Sequence, residues 1–240
     1  MRFKPRSIVL LCSLAVLAVG ASASAASATT LFEWKVEKAR LKSGESRELT
    51  LGVTAPKTMV WHYGCCGIAM EATFTKVSLH SGAKLIGGTP GKFEGVLEFT
   101  GVTYNHKACE LAHGTLVTQP LVGEIVESAA EGKGTGKIEL LLSGKIKNLM
   151  VAEFETECIG AKTVEVWGSL LAEVQPPAKE EKIDKLVFNT TTSEYAKGIE
   201  YKTASGEFKH AGPEAGGPFY FDLFGEPEME LVSKQKFGAF

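Results

Sequence analysis

Hydrophobic and polar residues alternate along most of this chain. Phe32, Trp34 and Val36 interleave with Glu33, Lys35 and Glu37; Leu49, Leu51 and Val53 interleave with Thr50 and Gly52. A period of two turns one set toward a core and the other toward water, as in a half-buried strand. Ser43-Gly44-Glu45-Ser46 lies between the two runs, so they read as a hairpin. Further β-rich runs cover Glu71–Leu79, Phe93–Tyr104, Thr115–Glu127, Lys137–Leu142, Lys145–Cys158 and Lys162–Val174. Turn residues punctuate them at Ser81-Gly82, Gly87-Gly88-Thr89-Pro90-Gly91, Glu131–Gly136 and Ser143-Gly144. No long segment repeats at the helical period of about 3.6 residues. The expected fold is all-β, an antiparallel β-sandwich or barrel.

Pro176-Pro177 marks a change, and a charged connector runs from Ala178 to Lys185. Strand-like runs resume at Lys185–Thr191, Ile199–Thr203, Pro218–Phe224 and Met229–Val232. This tail has no cysteine and is short for an independent domain. Residues 29–177 therefore read as the core, and residues 178–240 as C-terminal strands that complete the same domain.

The first residues follow another pattern. Arg2, Lys4 and Arg6 precede a twelve-residue, mainly apolar run, Ile8–Val19. Small residues then offer Ala21-Ser22-Ala23 and Ala26-Ser27-Ala28. This is the layout of a secretory signal peptide over residues 1–28. The apolar run is shorter than the ~20 residues a spanning helix needs, and no later stretch is longer. The mature chain is thus expected outside the cell or in its envelope, with no membrane span. Cleavage changes the arithmetic: 26 basic and 28 acidic residues become 23 and 28, and a net charge of −2 becomes −5.

Cleavage also removes Cys12 and leaves Cys65, Cys66, Cys109 and Cys158. An even count in an oxidising compartment reads as disulfide staples. Bonding adjacent cysteines strains the ring they close, so Cys65 and Cys66 are expected to reach separate partners, Cys109 and Cys158. Each bridge stabilises a fold by about 2–4 kcal/mol.

Several blocks together resemble a family. Trp34, Leu41, Gly44 and Ser46 come first; Phe99-Thr100-Gly101 and Cys109 follow. Gly114, Leu116, Thr118, Leu121 and Gly123 form the next block, and Phe154, Cys158, Val164, Val166, Gly168, Ser169, Val174 and Pro177 the last. In this order they are similar to uncharacterised secreted proteins that occur in many divergent copies in some high-GC actinobacteria. The resemblance implies a bacterial source, export and a β-rich fold; it implies no activity. Val102 stands where that pattern places a cysteine. The resemblance then implies that a cysteine of the Cys65-Cys66 pair replaces it, making a longer-range bridge to Cys109.

Composition narrows the chemistry. Mature arginines are limited to Arg40 and Arg47, and lysines are scattered, so no basic patch points to nucleic acid. Asp184 and Asp222 are the only aspartates, too few for an EF-hand loop. No nucleophile elbow, zinc-protease helix motif or phosphate-binding glycine loop occurs.

Four constellations remain. His106, Cys109 and His113 have ligand types and spacing that can hold zinc, but export favours a disulfide for Cys109. No metal and no cofactor is therefore expected. His62, between Trp61 and Tyr63, can serve a general-base site with a Ser and a Glu, or simply face solvent while the aromatics pack. Phe219-Tyr220-Phe221-Asp222-Leu223-Phe224 can form a ligand platform, or a buried strand with Phe219, Phe221 and Leu223 on one face. Glu226, Glu228 and Glu230 can attract a cation, or form a solvated strand edge. The expected role is a non-catalytic secreted protein that binds an extracellular or cell-wall ligand. The alternative is a small extracellular hydrolase with a site built from His and Glu.

Overall fold

The computed structural model describes residues 31–53, 58–65, 68–106, 111, 113–145, 152–155, 163–189, 199–211, 213–215 and 220–240. The expected signal peptide, Cys66, Cys109, Cys158 and Phe219 lie outside the described residues. No helix occurs among those described.

The chain opens with β1 (Trp34–Val36), β2 (Ala39–Arg40), β3 (Ser46–Gly52), β4 (Met59–Cys65) and β5 (Ile68–Leu79). It continues with β6 (Lys84–Ile86), β7 (Lys92–Gly95), β8 (Leu97–Tyr104), β9 (Leu116–Val117) and β10 (Leu121–Ala130). Next come β11 (Lys133–Gly144), β12 (Ala152–Glu155), β13 (Thr163–Gln175), β14 (Ile183–Asn189) and β15 (Ile199–Lys202). The last are β16 (Phe208–Ala211), β17 (Pro213–Ala215), β18 (Tyr220–Gly225), β19 (Glu228–Leu231) and β20 (Phe237–Ala239).

All of the ladders are antiparallel, and they close on themselves. β10 pairs β11, β11 pairs β13, β13 pairs β14, and β14 pairs β19. β19 pairs β3, β3 pairs β6, β6 pairs β7, and β7 returns to β10. The architecture is therefore a barrel, the closed form that removes exposed sheet edges. β4, β5, β8 and β18 extend the same wall.

Alternation decides which side chains fill the interior. Ile138, Leu140 and Leu142 of β11 point inward, as do Met229 and Leu231 of β19 and Leu49 and Leu51 of β3. Trp61, Phe74 and Phe99 meet edge to face, with ring centroids 5.0–6.5 Å apart. That geometry adds to the burial of three large rings.

β10 breaks the alternation, because Ile125 and Val126 are both fully buried. Ile125 lies in the barrel core. Val126 faces outward, under the β15–β16 hairpin, in a second small core with Leu171, Tyr201 and Ala211. The hairpin is anchored by Glu127–Lys202 at 3.2 Å and by the Gly132 N–H, which donates to Glu200.

One end of the barrel carries a cap, and here the structure corrects the sequence reading. β1 does not pair with β3. It pairs with β2 and with β20, in a separate three-stranded sheet. The turn at Ser43–Ser46 leads from this sheet into the barrel. Trp34 seats the sheet: it is fully buried, and its indole N–H donates to the Lys92 carbonyl at 2.9 Å. The close approach requires a glycine opposite. A Cβ at Gly91 would lie 2.7 Å from Trp34 Cδ1 and 2.9 Å from Ile125 Cδ1.

Candidate binding cleft at the capped end

Beside the cap, the β15–β16 hairpin stands away from the turn that joins β6 to β7. Between them lies a cleft of about 450 Å³. This is within the usual range for small-ligand sites, about 300–1,000 Å³. Thr89 and Pro90, joined by a cis peptide bond, form one wall. Glu124 of β10 lines it as well. Thr203, Ala204, Ser205 and Lys209 form the opposite wall.

Each wall is held in place. Arg40 donates from Nη2 to the Thr89 hydroxyl and pairs through Nε with Glu33 at 2.9 Å, so the cap sheet fixes the turn. In the hairpin, the Thr203 hydroxyl lies 2.8 Å from that of Ser205. It also accepts the Glu207 N–H at 3.2 Å. The Thr203 N–H donates to the Glu207 carbonyl, and Gly206 takes the positive φ of 85° that the turn demands.

The cleft has both signs of charge. Lys209 pairs with Glu207 at 3.0 Å, and that bond holds its ammonium above the usual lysine range. Tyr201, the register partner of Lys209, has its phenol pushed up chiefly by burial; Glu124 adds to this and Lys209 opposes it. Hydroxyls, an ammonium and a carboxylate thus converge over the apolar surfaces of Pro90 and Ala204. Such a set can hydrogen-bond a polar, hydroxyl-rich molecule.

The residues singled out from sequence are placed elsewhere. Trp61 points into the core and His62 faces out on β4. His62 Nε2 lies 3.2 Å from Glu71 Oε2, its register partner on β5. Thr73 donates to the other Glu71 oxygen at 3.1 Å, and the His62 ring lies 4.9 Å from that of Phe224. The structure therefore brings His62 to a glutamate, with a threonine where a serine was expected. Both partners of the imidazole–carboxylate pair remain more than a third exposed.

His106 and His113 are exposed, and their expected companion Cys109 lies outside the described residues. Among the described residues, no three metal-ligating side chains converge. In β18, Leu223 is fully buried. Glu226 pairs with Lys185 at 3.5 Å and Glu230 with Lys234 at 2.5 Å. Glu228 and Glu230 flank a shallow groove of about 290 Å³ beside Thr50, Gly52 and Ile183.

Two further acids, one fully buried and one half-buried, belong to no motif. Asp184 is completely buried, in step with Leu186 and Phe188 on the inner face of β14. Neither of its oxygens has a hydrogen-bond partner among the described residues. Burial first, then Glu181 and Glu180, push its carboxyl up to about 8. Glu139 on β11 is pushed up to about 7 by burial and by Glu173, against Ser128 and Lys137.

No family model, curated protein or solved structure matches this chain.

Proposed function

We propose that the chain is an exported, disulfide-stapled barrel of the actinobacterial type it resembles, and that it binds a cell-wall saccharide without turning it over. The signal-peptide pattern and the even cysteine count support the export reading. The observation that carries the binding reading is the cleft, where the Thr203 and Ser205 hydroxyls, Lys209 and Glu124 converge. Donors and acceptors of both signs suit the hydroxyls of a sugar. Titration with soluble wall-saccharide fragments tests it. Saturable binding is expected, weakened several-fold by Ser205→Ala and by Lys209→Met without loss of fold. Equal binding by both variants would place the ligand elsewhere.

The His62–Glu71 pair favours a second reading, a small extracellular hydrolase in which His62 acts as general base. Hydrolysis of a wall polymer that His62→Ala abolishes would establish this reading and displace the first.

A further inference from the structure

The β1–β20 sheet carries a second pocket, of about 390 Å³, that shares no lining residue with the saccharide cleft. Four lysines line it: Lys35, Lys38, Lys179 and Lys236. Phe240 supplies an apolar wall.

The nearby carboxylates are largely committed. Glu180, which also lines the pocket, accepts the Lys38 backbone N–H through both oxygens, at 2.8 and 2.7 Å. Glu37 accepts the Lys236 backbone N–H at 2.9 Å. Glu33 is taken by Arg40 at 2.9 Å, with Lys35 at 4.0 Å. Lys35 instead lies over the Phe240 ring, 3.9 Å from its centroid. Lys179 is paired with Glu181 at 2.5 Å. Backbone amides thus occupy Glu180 and Glu37. Among the described residues, the ammonium groups of Lys38 and Lys236 have no carboxylate within ion-pair distance; Lys236 acts on Glu181 only through space.

We propose that this pocket is an anion site that takes a multiply charged phosphate ligand between the ammonium groups of Lys38 and Lys236. Lys35 adds to the field at its rim; Lys179 is neutralised by Glu181, and Glu180 keeps its charge, so the two unpaired ammonium groups carry the site. An ammonium binds an anion as a point charge, without the bidentate fork that arginine offers to carboxylate and phosphate alike; two such charges facing one pocket suit a ligand with more than one negative charge. The volume exceeds that of a single phosphate group, so a short oligophosphate or a phosphodiester segment fits. The site stands apart from the saccharide cleft and does not depend on that reading.

Calorimetric titration at low ionic strength tests the proposal, with tripolyphosphate in one arm and poly(glycerol phosphate) in the other. Saturable binding that weakens steeply with salt is expected in at least one arm. Lys38→Gln with Lys236→Gln should reduce it at least tenfold, while Lys38→Arg with Lys236→Arg retains it. Lys133→Gln, remote on the β10–β11 turn, should leave it unchanged. Binding of tripolyphosphate alone identifies a free oligophosphate as the source; binding of the polymer alone identifies a phosphodiester chain. Failure of both arms, or binding that survives the double glutamine change, overturns the site. Matching circular dichroism spectra and melting temperatures show that the variants are folded.

Discussion

Glu139 and Glu173 stand directly opposite each other on β11 and β13, as register partners in one antiparallel ladder. Like charges so placed repel. Glu173 is held by Lys137 at 3.4 Å and by Gln175 at 3.1 Å. Burial and that neighbouring carboxylate push Glu139 up to about 7.

A proton retained in the fold but not in the unfolded chain makes stability fall as pH rises. For Glu139 the fall runs from its ordinary value of 4.5 to about 7. Glu139→Gln should flatten this slope and raise the melting temperature at pH 8 relative to wild type. Parallel thermal melts at pH 5 and pH 8 measure the difference.

Asp184 obeys the same sign over a wider window, from 3.8 to about 8. Its neutral form contributes fully below the lower value, and that contribution is lost as pH passes the upper one. Asp184→Asn is expected to remove at least ~1 kcal/mol of the stability lost between pH 5 and pH 8.5. Urea titrations at the two pH values check this. A slope unchanged in the variant would mean that Asp184 does not govern it.

The seat of the cap predicts two separable losses. Trp34→Phe keeps most of the buried ring but forfeits the bond to Lys92, at a cost of about 1 kcal/mol. Gly91→Ala places a methyl group against Trp34 and Ile125, and overpacking of that kind costs about 1–3 kcal/mol. Chemical denaturation of the two variants and their double mutant should show coupling, since both changes act on one contact.

His62→Ala removes an exposed cross-strand pair, so stability should fall by no more than about 1 kcal/mol. Saccharide affinity should not change, because His62 is not among the residues that line the cleft. Denaturation together with saccharide titration of this variant checks both.

Much of the barrel is legible in the sequence, since a period of two is local and survives in Lys137–Leu142 and Met229–Val232, and in β10 as far as Ile125. The partner of Phe32–Val36 is not legible. Turn chemistry at Ser43–Ser46 speaks only for nearby strands, whereas the actual partner, Phe237–Ala239, follows all of the barrel strands in sequence. The strand Met59–Cys65 is not legible either, nor is the register that sets His62 against Glu71. The cleft is hidden from the sequence for a related reason. Its walls come from residues 89–90, 124 and 203–209, and none of these short stretches has a motif of its own. Gly87–Gly91 reads as punctuation until the hairpin is placed opposite it.

The pairing of β1 with β20 has a consequence for assembly. The ladder that seats Trp34 joins residues 34–36 to residues 237–239, so it forms only across the whole run of barrel strands between them. Contacts of such separation carry a large loop-closure cost and form slowly. The barrel wall carries a comparable cost, because its β19–β3 ladder joins residues 228–231 to residues 49–52. Sealing the end and rounding the wall are thus two outcomes of one long-range docking, that of residues 228–239.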